Sequence, residues 1–138
     1  MSSAEGFLGT WILAPQSCSY ALGEPLREGR YTIQRDGPTD LRVTMEWVNE
    51  AGMHLTDATT LVPDGQIYAF EGPGVDGISL TLHSDHILET AAYRDSQRLM
   101  TVRRVLSRDL TTMTVVMSGR TPQDKLWENR AIYRRSAD

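Results

Sequence analysis

Gly9-Thr10-Trp11 opens the first apolar run of the chain, and Asn129-Arg130-Ala131-Ile132-Tyr133-Arg134-Arg135 forms its last. Between them lie short segments rich in Val, Ile, Thr, Tyr and Trp, each broken by turn residues. That is the pattern of consecutive β-strands. A meander of this kind leaves no free edge when its first and last strands meet. The sequence therefore predicts an all-β fold with little helix: a single antiparallel up-and-down barrel of about 8–10 strands, with residues 1–138 as one domain. A barrel of that size has an interior able to hold a small molecule.

Working inward from the two ends, strand one is expected over Phe7 to Leu13, stopped by Pro15. Gln16 to Glu28 reads as a long loop and as the best lid. Strands follow over Arg30–Arg35, Leu41–Asn49, Met53–Val62, Gln66–Phe70 and Ile78–His83, then His86–Tyr93, Arg98–Ser107, Thr111–Ser118 and Leu126–Arg135. Leu41, Val43, Met45 and Trp47 alternate with Arg42, Thr44 and Glu46, as a half-buried strand requires. Strands eight and nine carry apolar residues on both faces, in Met100-Thr101-Val102 and Val115-Val116-Met117. A homodimer contact across their outer faces would explain this; so would ordinary apolar exposure.

The chain has 138 residues, 40% of them hydrophobic, one cysteine and a net charge of −4. No apolar run reaches the roughly 20 residues of a membrane span. The start, Met1-Ser2-Ser3-Ala4-Glu5-Gly6, lacks the basic residues of a signal peptide. With Cys18 unable to form an internal disulfide, a cytoplasmic home is expected. The acidic balance argues against nucleic acid. Residues 1–93 carry 4 basic and 13 acidic side chains, and residues 94–138 carry 10 and 5. Either late basic strands pair with early acidic ones as the barrel closes, or arginine forks face an anion inside it.

Gly9-Thr10-Trp11 resembles the Gly-x-Trp signature of the calycin superfamily, the lipocalins and fatty-acid-binding proteins. Asp64-Gly65-Gln66-Ile67-Tyr68, Arg103-Arg104-Val105-Leu106-Ser107, Leu110-Thr111-Thr112-Met113-Thr114-Val115 and Asn129-Arg130-Ala131-Ile132-Tyr133 extend the likeness to a group of small bacterial lipocalin-like proteins. The resemblance implies a barrel that binds a hydrophobic or amphipathic small molecule, lipids among them. It also implies that Trp11 packs beneath an arginine of the last strand, Arg130 or Arg134, to close one end. Two departures stand out. Gln16–Glu28 is too short for the helix pair of fatty-acid-binding proteins. Arg130 and Tyr133 are three apart, so the carboxylate clamp Arg-x-Tyr of that family does not carry over.

The expected ligand-binding residues are mid-strand and amphipathic: Trp47, Tyr68, Tyr93, Trp127 and Tyr133, with Asn129 between the last two and Met117 as an adaptable wall. Arg103 and Arg104 point opposite ways, so one faces inward; Arg103 is assigned to the site. A buried arginine needs an acid such as Glu89, or an anionic ligand. His83-Ser84-Asp85-His86 lacks the converging companions of a metal site, and no histidine follows His86 to ligate haem from a late strand. No nucleophile elbow or phosphate loop is present, so no cofactor is expected. The sequence favours a binder or carrier of a small hydrophobic or amphipathic molecule, anions included. The alternative is an isomerase or cyclase in the same cavity, with Glu89 and a histidine as its titratable pair. A third reading is a filled barrel that acts through its surface.

Overall fold

The structure, a computed structural model, describes residues 3–21 and 26–136. A 3-10 turn, η1 (Glu5–Phe7), leads into β1 (Gly9–Tyr20), β2 (Glu28–Asp36), β3 (Asp40–Val48), β4 (His54–Leu61) and β5 (Tyr68–Gly72). Then come β6 (Val75–Ser84), β7 (Ile87–Arg94), β8 (Gln97–Leu106), β9 (Thr112–Arg120) and β10 (Leu126–Arg135). The strands pair antiparallel in the order β4-β3-β2-β1-β10-β9-β8-β7-β6-β5. The fold is thus all-β, antiparallel and ten-stranded, as the turn spacing predicts, and its first and last strands do meet; the closed barrel expected from them is a curled sheet with two free edges, β4 and β5.

The hydrogen-bonded wall is therefore open along one seam. Among the described residues β4 and β5 form no ladder with each other, and residues 54–58 of β4 are all exposed. Every one of the ten strands still sends a side chain into one interior cavity. Burial follows the two-residue period: Tyr31 and Ile33 in β2, Leu41 and Val43 in β3, and Ala131 and Tyr133 in β10 are buried.

Pro15 does not end the first strand. β1 runs on to Tyr20 through an irregularity between Ala14 and Ser19. Proline has no N–H, so a strand accepts it where the ladder is already interrupted. Ser17 repairs the gap: its hydroxyl donates to the Ala14 carbonyl at 2.6 Å and accepts from the Ile132 amide at 2.9 Å. The lid expected over Gln16–Glu28 shrinks to the span between Tyr20 and Glu28, of which residues 22–25 lie outside the described residues.

One end of the barrel is plugged. Phe7, Trp11, Ile33, Leu88 and Met113 are fully buried there, each contributing about 1.5–3 kcal/mol if of aliphatic or phenyl size. The Trp11 indole donates to the Phe7 carbonyl at 2.9 Å. The guanidinium 4.2 Å above the Trp11 ring belongs to Arg135, not to Arg130 or Arg134. Arg135 also donates to the carbonyls of Leu110 at 2.9 Å, Leu8 at 2.8 Å and Gly6. Alternation along β10 explains the correction. Arg135 follows the inward set Asn129, Ala131 and Tyr133, whereas Arg130 and Arg134 are exposed on the other.

Candidate functional site

Beyond the plug lies a cavity of about 490 Å³, within the range of small-molecule sites. Its wall is mostly apolar, with Val43, Leu61, Leu80, Val102 and Val115 beside the adaptable Met45 and Met117.

Arg104 interrupts this wall. It alternates with Met100, Val102 and Leu106 on the inner face of β8 and is only 4% exposed. One Nη donates to the Thr90 hydroxyl at 2.9 Å, and the guanidinium stands 5.2 Å over the Tyr31 ring. Its Nε has no hydrogen-bond partner, and no carboxylate lies within ion-pair distance among the described residues. A desolvated cation–π contact returns about 2 kcal/mol. Withdrawing an ion from water costs several kcal/mol. Folding alone therefore does not account for this arginine.

Two tyrosines stand beside it. Tyr31 and Tyr133 meet edge-on, with centroids 4.9 Å apart and planes at 69°. Among the described residues the Tyr133 hydroxyl reaches only the Met45 sulfur, at 4.0 Å, a weak acceptor. Gly29 makes room for it, because a Cβ there would sit 3.0 Å from that hydroxyl. Burial, reinforced by Tyr31, pushes the Tyr133 hydroxyl far above the usual tyrosine range. Burial likewise pushes Tyr20, at the edge of the cavity, up to about 12. Both phenols stay protonated at neutral pH and can donate to an anion.

Of the residues expected at the site, Trp47, Met117, Asn129 and Tyr133 line the cavity, and Arg130 borders it while paired with Glu128 at 3.3 Å. The Asn129 side-chain carbonyl accepts the Ala21 amide at 2.9 Å. Four others do not line it. Tyr68 turns its hydroxyl to Asp64 at 2.7 Å. Trp127 lies against Gly119, its cross-strand partner. Arg103 and Tyr93 belong to the outer face of β7 and β8, opposite Thr90, Ala92 and Arg104. The inward arginine is thus Arg104 and not Arg103. The alternation of Met100, Val102 and Leu106 already carried that signal. Tyr31, Thr90, Phe70 and Asp57 also line the cavity, and nothing but the strand period would have named them.

The outer face holds the acid–base cluster. Glu89 is 7% exposed and lies 3.2 Å from both Arg103 Nε and His83 Nε2, and 3.6 Å from Arg98. Burial pushes its carboxyl up, but hydrogen bonds from His83 and Arg103 and the Arg103 charge outweigh that and hold it below the usual carboxylate range. Tyr93 joins this cluster, with its hydroxyl 3.0 Å from Ser79 and 3.2 Å from Arg98. The Glu89–His83 pair therefore exists, but outside the cavity.

No helix among the described residues is long and apolar enough to cross a membrane. No family model and no curated protein matches the sequence. Solved structures do match in shape. The wild-type fluorescent protein UnaG is similar with a TM-score of 0.67 and 16% identity, over 97% of this chain and 100% of that one. A biogenic amine-binding protein gives 0.52 and 14%, over 99% and 67%. The siderocalin Ex-FABP, which functions through dual ligand specificities, gives 0.50 and 11%, over 95% and 71%. The chain accordingly has the calycin fold, the barrel of the lipocalins and fatty-acid-binding proteins.

Proposed function

We propose that this chain binds and carries a small amphipathic anion inside the barrel, as one cytoplasmic domain whose partner is the ligand and not nucleic acid. The observation that carries this is Arg104, a cation buried in the wall of a mostly apolar cavity with no acid within ion-pair distance among the described residues. An incoming carboxylate supplies the missing charge and an acceptor for Nε, and the apolar wall takes the rest of the molecule. Tyr31 and Tyr133 stand close enough to help orient the head group. That structural neighbours include a siderocalin and an amine-binding protein supports ligand binding in general. An isomerase or cyclase is less well supported, since the titratable pair it would use lies on the outer face.

Calorimetric titration with dodecanoate tests the proposal. The wild type should bind it, and Arg104→Met should weaken binding by at least about tenfold, the worth of a charge-assisted hydrogen bond. The unliganded Arg104→Met protein should melt no lower than wild type, because an apolar side chain replaces an unpaired buried ion. Undiminished dodecanoate binding by the variant would refute the role of Arg104. A marked fall in its melting temperature would make that role structural.

A further inference from the structure

Two opposite charges share the cavity wall without meeting. Arg104 lies deep, opposite Leu88 in the β7–β8 register, and Leu88 is fully buried. Asp57 lies at the opening. It is the cross-strand partner of Met45 on β3, and both line the cavity, so its side chain belongs to the inner face. It sits on the exposed stretch of β4, beside the seam where no ladder reaches β5. Asp57 makes no ion pair or hydrogen bond among the described residues. The other charged residue that borders the cavity, Arg130, is exposed and already engaged with Glu128. Between the two poles run Met45, Tyr133 and Tyr31, linked by the contacts described above.

Resting on the reading of this cavity as an anion site, we infer that its ligand is dipolar: a carboxylate at one end for Arg104, an apolar middle, and an amino group at the other end for Asp57. The placement suits the chemistry of each charge. A guanidinium fork holds a carboxylate with directed bonds and is weakly hydrated, so it tolerates the dry interior. An ammonium is strongly hydrated, and at the opening it keeps part of its water while gaining a carboxylate neighbour. The reverse orientation would bring two carboxylates together at the mouth and two cations together in the interior.

Calorimetry with ω-amino acids and the alkanoates of matching length, from 6-aminohexanoate and hexanoate to 12-aminododecanoate and dodecanoate, tests the inference. For the best-fitting length, Asp57→Asn should weaken the amino acid by about fivefold, the worth of a solvent-facing ion pair, and should not weaken the alkanoate. Arg104→Met should weaken both. If Asp57→Asn leaves every ω-amino acid unaffected, or weakens amino acid and alkanoate alike, the dipolar ligand is refuted while the anion site stands. Alkanoate binding with no ω-amino acid binding has the same meaning. If the wild type binds neither series, the anion site falls and the dipolar ligand with it.

Discussion

Gly9 has φ = +124°, a backbone conformation that side chains rarely adopt, and a Cβ there would lie 3.0 Å from an Arg135 Nη. The Gly-x-Trp triplet thus has a local cause: the glycine lets Arg135 reach over Trp11 and across to three carbonyls. Arg135→Ala would leave those carbonyls short of donors and bare the indole face. It should cost roughly 3 kcal/mol, about 10 °C of melting temperature for a domain of this size. Arg135→Lys should restore little, since an ammonium lacks the planar fork; thermal melts of the two variants check both statements. The triplet was legible in the sequence, and its partner was half so. Three arginines crowd the last strand, and only the period that places Arg135 with Tyr133 separates it from Arg130 and Arg134. The same step misassigns Arg103 for Arg104. Adjacent arginines look alike until their neighbours at two-residue spacing are read.

At the scale of elements, strand existence was plain because Val, Ile, Thr and aromatic runs alternate between strong turn signals. The extension of β1 past Pro15 was not, because it depends on Ser17 meeting Ile132, far along the chain. Nor could sequence show that the outer face of β6, β7 and β8 gathers His83, Glu89, Arg98 and Arg103 into one cluster. That gathering depends on register. It has a consequence for stability. The Glu89 carboxyl is held below its ordinary value of 4.5, so the native state takes up its proton later than the unfolded chain does. The stabilisation is complete above 4.5 and is lost as pH falls through the lowered native value. Glu89→Gln should therefore destabilise the protein near neutrality, and the difference from wild type should shrink on acidification below 4.5. Melting curves across that interval measure it; a difference independent of pH would contradict the assignment.

For the whole molecule, the charge asymmetry of the chain resolves in an unexpected way. Among the described residues no ion pair crosses the β1–β10 seam, so closure is not driven by early acids meeting late bases. The basic segment instead places Arg98 and Arg103 on Glu89, sends Arg135 into the plug, and leaves Arg104 inside with no acid paired to it. Sequence could predict the container from its strand count and its ends. It could not predict the size of the hollow, which depends on how far ten strands curl, nor the open seam between β4 and β5. The most direct measurement is a crystal structure of the wild-type protein with dodecanoate. Density for the chain should fill the cavity, with its carboxylate about 2.7–2.9 Å from the Arg104 guanidinium. Dodecanoate found only on the outer surface, or held inside with its carboxylate turned away from Arg104, would contradict the proposed site.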